Sequence, residues 1–217
     1  EPVHEISDEE AKRKMEDEGL KGKPVAAREL ENIRSTGNKP PLEYIRPKLD
    51  PSKIYDRMDT QPTVDKEKLV NYYNKLAEKA EGKNKELLET MPAAIYQAAA
   101  EAEKKYGFPI DPVKLLALAA HETSAVNSEG VFLPFDSNNA LKRNNFGGIG
   151  GKGHYYTYDT PLEGARALVE HMYSSSYYFK EGKYTMEEVS STWCPPTDPC
   201  GSHLSSWTSI YNRYRKL

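Results

Sequence analysis

Basic blocks are missing from this chain. Its 217 residues carry a net charge of −3, and no run of lysine and arginine is long enough to follow a phosphate backbone, which excludes nucleic acid as a partner. Long apolar runs are missing too: none approaches the roughly 20 residues that cross a bilayer, so no transmembrane segment is expected. Glu1 stands where an initiator methionine would, so the reading is of a soluble, processed chain. Cysteine is scarce, with only Cys194 and Cys200. The prolines between them bend the chain and favour a small disulfide ring, which suits an extracytoplasmic setting. A metal reading would need two further ligands, and only His203 lies close. His154 and His171 lack zinc-ligand spacing, and no Ser-His-Asp or Cys-His nucleophile pattern stands out. Neither metal nor cofactor is expected.

What is present is unevenly spread. Hydrophobic residues make up 37% and charged residues 29%, too polar for a uniform globule, and the polarity gathers at the N-terminus. Residues 1–64 hold Asp8-Glu9-Glu10, Glu16-Asp17-Glu18 and prolines at 24, 40, 41, 47, 51 and 62. Few aliphatics interrupt them, so this stretch reads as an extended arm with one early helix. It serves either as a strap on the main domain or as an attachment arm for an assembly partner. Residues 65–217 read as one mainly α domain. Leu69, Tyr72, Tyr73, Leu76 and Ala80 share a helical face, with Gly82 as the stop. A second helix takes Thr90 as cap and Pro92 in its first turn and runs to Gly107. Asp111-Pro112 starts a third, 112–122, which is apolar nearly all round and so predicted to be the buried centre. Ser124 to His154, rich in Gly, Asn and Ser, suits turns and a small irregular sheet, the wall of a cleft. Thr160-Pro161-Leu162-Glu163 and Thr185-Met186-Glu187-Glu188 are capping patterns for two more helices. Leu204 to Tyr214 reads as a terminal helix carrying Trp207.

Chemistry points to Glu122. A carboxyl at the mouth of a buried helix loses water, and the carbonyl end of the helix disfavours its anion, so it is expected to hold a proton near neutrality. In Asn144-Asn145-Phe146-Gly147-Gly148-Ile149, glycines admit close backbone approach, amides bond hydroxyls and N-acetyl groups, and the phenylalanine offers a flat face. Tyr156 and Trp193 add stacking surfaces; fifteen tyrosines against five phenylalanines suit an aromatic groove, although Tyr156 and Tyr158 also read as sheet packing. His121 reads as a packing residue, because helix neighbours point about 100° apart.

The segments Ala117-Leu118-Ala119-Ala120-His121-Glu122-Thr123-Ser124, Asn144–Ile149 and Tyr158-Asp159-Thr160-Pro161 together resemble the catalytic domain of bacterial β-N-acetylglucosaminidases. These are the autolysin and flagellar-muramidase type, glycoside hydrolase family 73 of the lysozyme-like superfamily. The resemblance covers roughly residues 85–217. It implies a helical lysozyme-like lobe and a small β-lobe forming a cleft, peptidoglycan glycan strands as substrate, and Glu122 as general acid. It also implies a secreted, cell-wall or virion-associated location.

The chain departs from the family at the second carboxylate. Glycosidases commonly pair two acids about 5–5.5 Å or about 6.5–9.5 Å apart, yet Gly150 to Tyr158 contains no Asp or Glu. Asp136 and Glu129 precede this stretch; Asp159 and Glu163 belong to a helix start. Three routes stay open: a displaced base such as Asp136, assistance by the substrate's N-acetyl group, or a lytic transglycosylase reaction, which needs one acid only. A muramidase is a further enzymatic reading. From another class comes a non-catalytic structural or glycan-binding part of a phage tail or secretion machine, anchored by the arm.

Overall fold

The computed structural model describes residues 44–195 and 200–217. The acidic runs and the early helix expected before residue 44, and residues 196–199 of the cysteine loop, lie outside the described residues. The architecture is mainly helical: α1 (Lys66–Ala77), α2 (Gly82–Tyr106), α3 (Pro112–Thr123), α4 (Asn138–Arg143), α5 (Pro161–Ser174), α6 (Met186–Trp193) and α7 (His203–Tyr214). Two antiparallel hairpins join them, β1 (Ala125–Val126) with β2 (Phe132–Leu133) and β3 (Gly150–Gly151) with β4 (His154–Tyr155).

Helix α3 is the centre. Every residue from Pro112 to Ala120 is buried, and α2, α4 and α7 pack around it. The expected cap is in place: Asp111 accepts from the Val113 amide at 2.9 Å, with Pro112 opening the helix. Thr160 caps α5 and Thr185 closes a capping box with Glu188 on α6, also as the sequence predicts.

Three local expectations fail. Gly82 opens α2 rather than closing α1, which already ends at Ala77. Thr90 caps nothing: its hydroxyl donates to the Glu86 carbonyl at 2.8 Å, and α2 runs straight through Pro92. An interior proline costs about 3 kcal/mol, which burial of Leu87, Leu88, Met91, Ala94 and Ile95 on either side offsets. Within the Ser124–His154 stretch, Ser137 caps the short helix α4, which ends in left-handed Asn144.

The boundary at residue 64 also moves. Tyr44 is buried, the chain makes a 3-10 turn at Pro51–Asp56, and Arg57 bridges Thr185. Met58 is fully buried; its amide donates to the Tyr184 carbonyl and its own carbonyl accepts from Asp111, each at 2.7 Å. Residues 44–64 are thus a strap built into the helical domain. Its polar clasp is Asp59, held by both ends of the Arg57 guanidinium at 2.8 Å and by Arg46 at 2.8 Å.

Tyrosine dominates the core instead of a groove. Tyr73, Tyr173, Tyr184, Tyr211 and Tyr214 are almost wholly buried. Tyr106 stacks on Tyr173 at 4.4 Å and Phe179 on Tyr184 at 4.8 Å. Several hydroxyls keep partners inside: Tyr173 donates to the Phe108 carbonyl, Tyr211 to Thr63, and Tyr73 bonds Tyr214.

Removing one partner of a buried ion pair strands the other charge. Asp59→Ala is therefore expected to lower unfolding free energy by about 3–5 kcal/mol, read as a drop in the urea midpoint.

Candidate functional site

Burial of α3 stops at its last turn. Ala120 is in the core, whereas His121 and Glu122 are half-buried, the Glu122 side chain keeping 22% of its exposure. No glycine ends this helix. The Thr123 hydroxyl donates to the Ala119 carbonyl at 2.6 Å, the Ser124 hydroxyl donates to that of Ala120, and the backbone turns extended at Ser124. The Thr123 carbonyl then accepts the amides of Asp136 and Ser137, each at 3.0 Å, and Thr123 Oγ1 accepts from Phe135 at 3.1 Å. Phe135 is held at φ 59°, a left-handed conformation that a bulky side chain rarely adopts. These bonds seat Asp136 beside the end of the helix that carries Glu122, and burial raises the Asp136 pKa above its ordinary value.

Glu122 does not sit in the bare apolar setting that the sequence suggests. His203 Nε2 lies 2.8 Å from Glu122 Oε1, and His203 Nδ1 lies 2.7 Å from the buried Ser190 Oγ. A neutral imidazole has one donor and one acceptor nitrogen, so this chain has two proton arrangements. Either Ser190 donates to Nδ1 and Nε2–H donates to a Glu122 carboxylate, or a protonated Glu122 donates to Nε2 and Nδ1–H donates to Ser190. The His121 ring meets His203 edge-on at 4.9 Å. Burial holds the His121 imidazole below its ordinary pKa, helped by His203 and opposed by the Glu122 charge. Ligand atoms of His121, Glu122 and His203 all lie within 4.8 Å of one another. The fold thus assembles a set of possible metal ligands that linear spacing did not reveal.

A row of aromatic groups lies within the electrostatic reach of Glu122. Burial and the charge of Glu122 both raise the pKa of the Tyr178 hydroxyl, which places that group within the carboxylate's field. Trp193 lies over Tyr178 at 5.7 Å, and the edge of His171 meets both rings. The edge of the Trp193 six-membered ring lies against Gly147, where an added Cβ would come within 3.1 Å of it. Trp193 and Gly147 therefore meet.

The rest of the predicted wall is different. Phe146 is buried, its ring edge-on to Phe135 at 5.5 Å. Asn145 is wholly buried: its Nδ2 donates to the carbonyls of Ile149 and Tyr156, and its Oδ1 accepts from the Ile149 amide. Asn144 Nδ2 donates to the Tyr158 carbonyl at 2.9 Å. These side chains brace the loop, because a tight turn leaves backbone groups that need partners more than a solvated ligand does. Tyr156 is exposed on the side of the β3–β4 hairpin, its hydroxyl over Gly151. The cysteines are paired, with Cα atoms 6.2 Å apart, tying the end of α6 to the start of α7. A groove of about 710 Å³ opens elsewhere, between the strap and α7, lined by Lys53, Tyr55, Arg57, Met186 and Arg215 among others.

Sequence reasoning passed over Ser190 and Tyr178 and weighed His203 only as a metal ligand beside the cysteines. The contact from Glu122 to His203 spans 81 positions, beyond any periodic or motif signal; the one local hint is that His203 follows the cysteine bridge. Comparison with protein-family models, with curated proteins and with solved structures returns no match to this chain.

Gly164 on α5 decides how closely the Asn144–Phe146 loop can lie. A Cβ there would stand 1.9 Å from the Asn144 carbonyl oxygen and 2.7 Å from the Phe146 ring. Gly164→Ala must move backbone, so a loss near the top of the about 1–3 kcal/mol overpacking range is expected. Gly147→Ala meets only Leu168 and Trp193 side-chain ends and is expected to cost about 1 kcal/mol while shifting Trp193 fluorescence. Denaturant melts of both variants check the order.

Proposed function

We propose that this chain is a lysozyme-like glycosidase that cleaves the β-1,4 linkage between N-acetylglucosamine and N-acetylmuramic acid in peptidoglycan. The observation that carries the reading is the half-exposed Glu122 carboxyl at the end of a buried helix. It is hydrogen bonded to a backed histidine and neighbours the row Tyr178, Trp193 and Gly147. That row offers aromatic faces to a sugar.

In the reaction Glu122 gives its proton to the oxygen between two sugars as the bond to the anomeric carbon breaks. The oxocarbenium-like charge then builds on the ring, and a water molecule completes hydrolysis after losing its proton. In the arrangement where Glu122 is protonated, His203 Nε2 accepts from it and Ser190 holds the far nitrogen, so the acid stays fixed in one rotamer. Asp136 is the second carboxyl next to the helix end, the displaced base for water. The disulfide suits an extracytoplasmic setting.

The test is wall digestion. Purified cell walls should lose turbidity with the parent protein, and Glu122→Gln should be slower by at least about 100-fold, the low end for a general acid. New reducing N-acetylglucosamine ends support the glucosaminidase assignment, whereas 1,6-anhydromuramic ends would reassign the reaction to transglycosylation. Wall binding equal in parent and variant, with turnover in neither, would overturn the enzymatic reading.

A further inference from the structure

The Glu122 cluster presents more acceptor atoms than one proton can satisfy. His203 is the first residue of α7, His121 and Glu122 come from the last turn of α3, and their ligand atoms converge within 4.8 Å. Two nitrogen donors and one carboxylate oxygen, with His203 buried and His121 and Glu122 half-buried, form the donor set of a three-ligand zinc site. Hard cations such as magnesium or calcium prefer oxygen ligands throughout.

Geometry supports the same choice. Around a tetrahedral zinc, ligand atoms about 2.0–2.1 Å from the metal stand about 3.4 Å from each other. The 2.8 Å between His203 Nε2 and Glu122 Oε1 and the 4.8 Å bound on all three ligand atoms bracket that separation. The outer shell is already built: the buried Ser190 hydroxyl meets His203 Nδ1 at 2.7 Å. With Nδ1–H donating to Ser190, the Nε2 lone pair faces the cluster, which is how supporting hydrogen bonds orient a metal-binding imidazole. Ser190 lies on α6 and His203 on α7, and the Cys194–Cys200 bridge joins these two helices.

We propose that His121, Glu122 and His203 bind one Zn²⁺ ion, with Ser190 orienting His203 from behind. Building on the glycosidase reading, a bound ion takes the carboxylate that would donate the proton, so zinc and glycan cleavage exclude each other at Glu122.

The test uses the full chain and zinc alone. Titration calorimetry with zinc chloride should give one ion per chain. His121→Ala and His203→Ala should each weaken binding at least about 10-fold, and Ser190→Ala about 10–100-fold, the range for lost outer-shell partners. His154→Ala, a change at an exposed histidine on β4, should bind as the parent does. Circular dichroism melts separate lost binding from lost folding, and His121→Ala, in a half-exposed position, keeps the comparison usable if His203→Ala unfolds. Absence of stoichiometric zinc uptake, or uptake indifferent to His121→Ala in a folded protein, overturns the site. On cell walls, saturating zinc should stop turnover and a chelator restore it; full turnover at saturation overturns the exclusion at Glu122. Failure of the glycosidase reading shows separately, as no wall turnover by metal-free protein whose zinc isotherm is intact.

Discussion

The burial of helix α3 from Pro112 to Ala120 is the constraint on which the rest of the structure depends. Nine consecutive residues, Pro112 to Ala120, give up water, and among them stands Lys114, whose side chain is 0% exposed. A buried ammonium is costly, and desolvation lowers the Lys114 pKa, opposed by Asp111. The pair is 2.9 Å apart, and the same Asp111 carboxylate caps α3 and accepts from the Thr63 hydroxyl at 2.8 Å. Sliding or rotating α3 would break the bonds this turn makes to other segments, Asp111 with Thr63 and Met58 and the Lys114 ammonium with the Ile54 carbonyl at 3.3 Å, so these contacts fix the helix's register. The Trp207 indole, donating to the Lys114 carbonyl at 2.8 Å, binds α7 to the same reference.

With one end of α3 fixed, the position of the other end follows. Glu122 is eight residues from Lys114 on a helix rising 1.5 Å per residue, so its placement follows from the anchored first turn together with its own contact to His203. Helix α7, tied to α3 through Trp207, brings His203 to the carboxylate from its first turn. Helix α6 delivers Ser190 behind that ring and carries Trp193, which meets Tyr178 and His171. The strap takes part indirectly, since Met58 accepts the Asp111 amide and holds the cap from which α3 begins.

Features whose causes are local could be read in advance. The caps at Asp111, Thr160 and Thr185 are each decided within a few residues, and the left-handed Gly107 ends α2 where the sequence puts a stop. Glu122 was legible because an apolar helix ending in a carboxyl is a local pattern, and Asp136 was reached by elimination. Pro92 was misread because only burial on both sides overrides its cost. Asn145 and Phe146 were read as ligand contacts because amides and aromatics serve loops and sugars equally well; the deciding partners, Tyr156 and Phe135, come from elsewhere in the chain. The relay through His203 and Ser190 depends on the packing of α3, α6 and α7, which no window of sequence contains.

That relay sets the chemistry available at the site. When the imidazole lone pair points at the Glu122 oxygen 2.8 Å away, two electron-rich atoms face each other, and half-burial removes much of the water that would screen them. A positive centre must lie between them: a proton on the carboxyl, a proton on the ring, or a metal ion with His121 as a further ligand. The proposed glycosidic cleavage uses the first of these, in which Glu122 itself carries the proton handed to the leaving oxygen. The second leaves a carboxylate locked to an N–H, and the third removes the proton altogether. Which cation occupies this short gap therefore decides what chemistry the cluster can offer, and the bonds from Asp111 to Thr63 and from Trp207 to Lys114 anchor the helix that carries it.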